Sequence, residues 1–377
     1  MGIAYKYRIY PSAREVAVIE HQLDHCRWLY NAALEQRITA HKAMGKSISY
    51  RNQQDELPSI RADYPEFKNI HSQVLQNILR RIDNSFQNFY RRLKQGEKSG
   101  FPRFKGKDHF DSMCYPQSGF RINGNKVELS KIGNIKVKWH RPIEGIIKTC
   151  TIKRSGKHWH VIFSCIIPRA VKKKVVCSAI GIDLGLESFV TLSNGDQIAN
   201  PKHLKKNEER LKAVQSRYSL KKSKSAKKEL CSLHRKISNQ RNDFVHKTSR
   251  KLVNQFDLVV YEDLDIKKMV EGRYAKSIHD AGWGKFIGLI RYKAESAGSY
   301  AKSVNPYHTS QTCSNCGTLV KKEIHQRWHN CPVCGLSLHR DHNAAINILK
   351  SGTDAVFSDA PSALPRGGSL YNCRHNG

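Results

Sequence analysis

Acid is what this chain is short of. Its 377 residues include 32 Asp and Glu against 65 Lys and Arg, which leaves a formal charge of +33 and a pI near 9.8. An excess of that size points to a polyanionic partner, with nucleic acid the leading candidate. A membrane surface would also attract such a chain. There is, however, no apolar stretch near 20 residues and no N-terminal signal with an apolar core, so no membrane partner is expected and the protein reads as soluble and cytoplasmic. Clustered cysteines are few as well. Of 11, only Cys313, Cys316, Cys331 and Cys334 stand in pairs, while Cys26, Cys114, Cys150, Cys165, Cys177, Cys231 and Cys373 are scattered in the manner of reduced thiols. The length leaves room for two or three domains, each with its own core.

Against that basic background three acids sit at the ends of apolar segments. Ser178 to Leu184 is a short apolar run bounded by turn signals, which is how a buried strand reads, and it ends on Asp183 just before Gly185. Leu258 to Leu264 repeats the pattern with Glu262. Asp341 precedes the helix-forming run Asn343 to Lys350, where an acid is favoured by the helix N-terminus. Any one of these alone is an ordinary turn acid; the three together suggest a carboxylate site. Between the second and third lies Cys313-Ser314-Asn315-Cys316, then 14 residues, then Cys331-Pro332-Val333-Cys334, with Gly317 and Gly335 closing the two pairs. This is zinc-ribbon spacing, and four thiolates leave no open coordination position, so the Zn²⁺ is expected to be structural.

The ordered set G-I-D-L-G, V-Y-E-D-L, the paired CxxC motifs and R-D-x-N-A-A-x-N-I-L resembles the TnpB family, transposon-encoded RNA-guided nucleases related to type V CRISPR effectors. Gly100-Phe101-Pro102-Arg103-Phe104-Lys105 and Asp280-Ala281-Gly282-Trp283-Gly284 extend the resemblance over roughly residues 3 to 350. His339 departs from it, standing where many members carry an acid beside the third carboxylate. The resemblance implies an α/β fold: an RNase H-like (RuvC-type) nuclease domain with an inserted zinc ribbon, and an N-terminal β-barrel (wedge) domain with an inserted helical recognition domain. On this reading residues 1–10 and 109–178 form the wedge, 11–108 the recognition domain, 179–310 and 336–352 the nuclease, 311–335 the ribbon and 353–377 a disordered tail. It also implies a prokaryotic source, with the protein nucleoid-associated when bound to DNA.

Residue patterns along the chain agree with that layout. Ile3 to Tyr10 alternates as a strand, and Val16, Ile19, Leu23, Cys26, Leu29, Tyr30 and Leu34 recur at helical spacing beyond Pro11-Ser12. A long second helix carries Leu75, Leu79, Ile82, Phe86 and Phe89 on one face, with Arg80, Arg81, Arg91, Arg92 and Lys94 supplying a basic one. Through the resemblance this region reads the motif beside the target, and Tyr50 and Gln76 are its candidate base contacts, since an amide pairs bidentately with adenine. From Asp111 to Pro168 short β-type runs are punctuated by turn pairs, and lysines interleave with Trp139 and Trp159 as a surface for stacking and clamping RNA would require. An aromatic core under a basic exterior explains the same residues. Lys202 to Lys251 reads as two basic helices facing the guide heteroduplex, Ala281 to Ala297 as one helix and Tyr300 to Val304 as a strand.

Phosphodiester hydrolysis needs an activated water and a stabilised leaving oxyanion, which two divalent ions about 4 Å apart supply together. Carboxylates suit Mg²⁺ or Mn²⁺, so Asp183, Glu262 and Asp341 are expected to be both catalytic and metal-ligating. The expected function is RNA-guided DNA endonuclease, with guide RNA and double-stranded target DNA as partners. A transposase or strand-transferase using the same acids, or a non-catalytic regulator of transposition, remain as alternatives; oligomeric state is open.

Overall fold

The alternating N-terminal segment is strand β1 (Gly2–Tyr10) in the computed structural model, which describes residues 2–168, 171–323 and 325–359. Tyr5, Tyr7 and Ile9 are buried and the residues between them are exposed, as a half-covered strand requires. The chain divides into two units between residues 170 and 171.

In the first unit, β1 joins strands β2 (Ser112–Tyr115), β3 (Phe120–Asn123), β4 (Lys126–Leu129), β5 (Gly133–Lys138), β6 (Ile146–Ser155) and β7 (His158–Ile166). They form one antiparallel sheet in the order β2-β6-β7-β1-β5-β4-β3. Consecutive strands β2 and β3 lie at its opposite edges. A flat sheet of this width would hold them about 29 Å apart, given strand spacing near 4.8 Å. The link from Tyr115 to Phe120 spans at most about 17 Å even when extended. The sheet therefore curls until its edges approach. Helices α1 (Ala13–Met44), α2 (Tyr50–Asp55), α3 (Leu57–Asp63) and α4 (Ser72–Lys94) interrupt it between β1 and β2. Ser12 and Glu15 form a capping box that starts α1, and Gly45 ends it at φ +63°, where a left-handed residue is needed. One core takes the inner faces of α1, α4 and the sheet.

Two surface expectations change here. Trp159 is buried and Trp139 lies 4.6 Å from Tyr7 and 6.1 Å from Phe163, ring centre to ring centre, so both indoles serve the core instead of presenting a stacking platform. Arg81 turns inward from the expected basic face: its guanidinium donates to the Ser112 carbonyl (2.8 Å) and the Asn77 side chain (3.0 Å).

The second unit is built on β8 (Ala179–Leu184), β9 (Ser188–Leu192), β10 (Gln197–Ala199), β11 (Leu258–Glu262) and β12 (Tyr300–Val304). Its sheet runs β10-β9-β8-β11-β12, antiparallel through the first three strands and parallel from β8 to β12. Helices α5 (His203–Lys206), α6 (Glu208–Lys221), α7 (Lys224–Gln255), α8 (Ile266–Met269), α9 (Ala275–Ala281), α10 (Trp283–Ala297) and α11 (Arg340–Asp359) complete it. Successive residues of β8 and β11 point to opposite faces. Ile180, Ile182, Val259 and Tyr261 pack under Val245, Leu252, Phe286 and Ile290 of α7 and α10, whereas Leu258 and Val260 pack under Ile348 and Val356 of α11.

Several boundaries differ from expectation. Gly282, at φ +72°, separates α9 from α10, so the helix expected from Ala281 begins at Trp283 and is preceded by a short helix that was not expected. Val176 is buried with Leu258 and Val260, so residues 171–178 belong with the second unit rather than the curled sheet. Helix α11 runs on to Asp359, past the expected start of a tail at 353, because Val356 still finds core to fill; residues 360–377 of that tail lie outside the described residues.

Candidate active site

Parallel pairing and one glycine bring the three acids together. Tyr261 is opposite Ile182 in the β8–β11 ladder, so the next residues, Asp183 and Glu262, end adjacent strands side by side on the α11 face. Gly181 lies under the helix on that same face. A Cβ added there would stand 2.2 Å from the Ala345 carbonyl oxygen, and one added at Gly352 would stand 2.1 Å from Val260. Both glycines let backbone ride on strand, and with Ala345 over Gly181 the first turn of α11 reaches the strand ends. That turn carries Asp341. All three acids line one cavity of about 540 Å³, with Glu187, Thr309, Arg327 and Arg340 among its other polar residues.

Charge in this cavity is poorly compensated. Burial pushes the Asp183 carboxyl well above the usual carboxylate range, and Glu262 and Asp341 raise it further, against Arg340 and the Leu184 amide. Burial also raises Glu262, while the Thr309 hydroxyl, donating to Glu262 Oε1 at 2.5 Å, opposes the shift. Arg340 leans on Asp341 instead, Nε to Oδ1 3.4 Å. The departure at His339 puts an imidazole 4.0 Å from Asp341 Oδ2. Carboxylate oxygens are hard donors of the kind that divalent cations such as Mg²⁺ favour.

The cysteines make a tighter cluster. Among the described residues they are the one set of three or more His, Cys, Asp or Glu whose ligand atoms all lie within 4.8 Å of one another. Cys313 Sγ is 3.6 Å from Cys334 Sγ and Cys316 Sγ is 3.5 Å from Cys331 Sγ. Zinc–sulfur bonds near 2.3 Å in a tetrahedron call for sulfurs about 3.8 Å apart, so the four thiols fit a structural zinc. Each CxxC folds into the same turn: Gly317 N donates to the Cys313 carbonyl and Gly335 N to the Cys331 carbonyl, both at 3.0 Å. The Thr318 hydroxyl and amide pull the Cys316 thiol down to about 6, towards the thiolate that binds metal. The second turn joins β13 (Trp328–Asn330) to β14 (Ser337–His339), which pair antiparallel, and β14 lies beyond the boundary expected at 335.

Two asparagines of α11 fasten this module to the helix that packs on the five-stranded sheet, and sequence reasoning passed over them. Asn343 is wholly buried; its amide donates to the Thr312 carbonyl and its oxygen accepts from Ser314 N. Asn347 donates to the carbonyls of Thr309 and Thr312. Their spacing of four on a helix, beside the third acid, was the available signal.

The two candidate base contacts belong to the first unit. The Tyr50 ring is covered by the Arg80 guanidinium at 3.7 Å, which takes one of its faces. Gln76 lines a different cavity, of about 610 Å³, with Gln54, Arg61 and Ser72.

Comparison with known proteins agrees with the motifs. A family model described as "Probable transposase" matches residues 163–273, "Cas12f1-like, TNB domain" matches 283–348 and "Helix-turn-helix domain" matches 1–46. The last stretch forms one strand and one unbroken helix here. A Streptomyces pristinaespiralis protein provisionally named RNA-guided DNA endonuclease is 31% identical over 368 residues, covering 93% of this chain and 90% of its own. The Escherichia coli K12 protein provisionally named RNA-guided DNA endonuclease InsQ is 27% identical over 375 residues, covering 93% and 92%. TnpB-like protein L770 of Acanthamoeba polyphaga mimivirus is 29% identical over 242 residues, covering 58% and 46%. With a relative so similar along nearly its whole length, the chain belongs to the TnpB family, the transposon-encoded relatives of type V CRISPR effectors.

Proposed function

We propose that this protein is an RNA-guided DNA endonuclease that cuts with Asp183, Glu262 and Asp341. The observation that carries the reading is the convergence of these acids, from three distant parts of the chain, in one cavity where Asp183 is buried against two like charges. When bound, two Mg²⁺ or Mn²⁺ ions would activate water and stabilise the departing oxyanion of a phosphodiester. Asp183, Glu262 and Asp341 would hold the ions together. Arg327 and Arg340 line the same cavity and offer fixed positive charge to a DNA phosphate. The four cysteines hold zinc for structure only.

Guide RNA and double-stranded target DNA are the partners this reading requires, and relatives bear names that state RNA guidance and DNA cleavage. Charge supports it: residues 202–251 hold 17 Lys and Arg against 4 Asp and Glu. Much of that stretch is the α6–α7 hairpin, whose two helices meet through Leu211, Val214, Leu233 and Ile237, while the C-terminal part of α7 packs Val245 and Leu252 on the sheet. The remaining surface is left to the backbone of a guide–target heteroduplex, recognised by charge and shape while base pairing reads sequence. In the first unit, the curled sheet is the wedge and the inserted helices the recognition domain.

The test separates binding from cutting. RNA that co-purifies with the chain is sequenced and returned as guide, and cleavage of a target library with randomised flanks is measured in Mg²⁺. Guide-dependent cleavage that Asp183→Ala abolishes without loss of target binding is the expected result. Guide-independent strand joining would favour the transposase description of the matching family model.

A further inference from the structure

Thr309 lies in a loop with no metal-binding chemistry of its own, yet it joins the two halves of the second unit. Its hydroxyl donates to Glu262 Oε1 at 2.5 Å, and its carbonyl accepts from Asn347 Nδ2 at 2.9 Å. Three residues on, the Thr312 carbonyl accepts from both Asn347 (2.7 Å) and Asn343 (2.8 Å), and Cys313 follows directly as the first cysteine of the cluster. Lys350, the next residue along that helix face, donates to the Ser314 carbonyl at 2.5 Å. One face of α11 thus grips residues 309 to 314.

The turn before Thr309 is held under strain. His308 adopts φ +58°, the left-handed region that a β-carbon disfavours. Its carbonyl accepts from Gln311 N (3.0 Å) and Thr312 N (2.9 Å), and its ring faces the Gln311 amide at 2.8 Å. A non-glycine residue persists in this conformation only where surrounding bonds over-determine it. Here those bonds lead from the first cysteine turn back to Thr309.

We infer that Thr309 is a positioning residue for the nuclease: the zinc module, clamped by Asn343 and Asn347, fixes the Thr309 hydroxyl, and that hydroxyl fixes the rotamer of Glu262 for metal binding. The inference rests on the proposed metal site and adds a function for the zinc module beyond its own stability. A ligating carboxylate needs one oxygen lone pair directed at the metal, and a donor on the same oxygen sets that direction. Helix α11 carries the third acid and the clamp together, so a single element sets the relative placement of Glu262 and Asp341.

The test compares Thr309→Val, which keeps the shape and loses the donor, with Thr309→Ser, which keeps the donor, in the full chain loaded with its co-purifying RNA. Mn²⁺ binding is measured by electron paramagnetic resonance, beside zinc content, target binding and the metal dependence of cleavage. Lost outer hydrogen bonds of this kind typically cost 10- to 100-fold, so Thr309→Val should weaken Mn²⁺ binding and raise the Mn²⁺ needed for cleavage by about that factor. Thr309→Ser should restore both to near the wild type, and both variants should keep one zinc per chain and full target affinity. Asn347→Leu should resemble Thr309→Val. Wild-type Mn²⁺ binding in Thr309→Val, equal impairment in Thr309→Ser, or zinc loss in Thr309→Val would overturn the inference. Undiminished Mn²⁺ binding by Asp183→Ala would instead sink the parent metal site, a separate result.

Discussion

Asp183→Asn should make the metal-free protein more stable while ending its activity. The wild-type side chain is buried beside Glu262 and Asp341, and its carboxyl is raised well above the unfolded value, which near pH 7 means that folding works against it. The penalty is present above the unfolded pKa, about 3.9, and disappears as pH falls below it. An amide has the same shape, carries no charge and still accepts from the Leu184 amide. Relieving a poorly compensated buried group is worth about 1 to 3 kcal/mol by mutational comparison. In a unit of this size, that is roughly 2 to 12 °C in Tm. Divalent metal should reverse the ranking. At 100 times its Kd, one bound ion stabilises the native wild type by about 2.7 kcal/mol, and the variant, lacking a ligand, gains less. The assay is thermal unfolding of both proteins in EDTA and in saturating Mg²⁺, at pH 7 and again near pH 4. Equal Tm values in EDTA at pH 7, or an advantage that persists undiminished at pH 4, would refute the electrostatic reasoning.

Gly181→Ala should cost about 1 to 3 kcal/mol by overpacking and should lose cleavage, because the new methyl meets the Ala345 carbonyl and lifts α11, with Asp341, off the sheet; denaturant midpoint and cleavage rate report the two effects. Cys331→Ser should lose its zinc, whose apparent binding energy in small modules is roughly 10 to 16 kcal/mol, and hydrogen exchange should show the amides of residues 313–339 unprotected. Elemental analysis finding full zinc in that variant would reject the four-thiolate site. RNA binding should weaken steeply with salt, each neutralised phosphate adding about 0.7 to 0.9 to the log–log slope, and a slope near zero would contradict an electrostatic interface.

The sequence disclosed the acids because two of them closed apolar runs and the third opened a helix, and the zinc cluster because CxxC spacing is dictated by tetrahedral geometry. It disclosed the helix faces of α1 and α4 through their periodicity. What it hid were contacts made by residues with no pattern. Thr309 is a lone threonine in a loop, and nothing local distinguishes a hydroxyl that meets Glu262 from one that meets water. Trp139 and Trp159 were ambiguous because alternation with lysine describes a strand with a basic outer face as well as it describes a stacking surface. Arg81 looked like its neighbour Arg80, and only the third dimension places Ser112 beside it.

The place of β1 in its sheet bears on how the protein is made. It leaves the ribosome before the rest of its sheet, and both of its neighbours come much later, β5 at 133–138 and β7 at 158–166. At synthesis rates of about 5 to 20 residues per second, the strand waits roughly 8 to 30 s for its final partner. During that interval Tyr5, Tyr7 and Ile9 have no sheet to enter, while α1 and α4 can already pair over their shared apolar faces. The helices inserted behind the first strand thus emerge in time to shelter it, and synthesis past residue 166 is the event that lets this half of the molecule close.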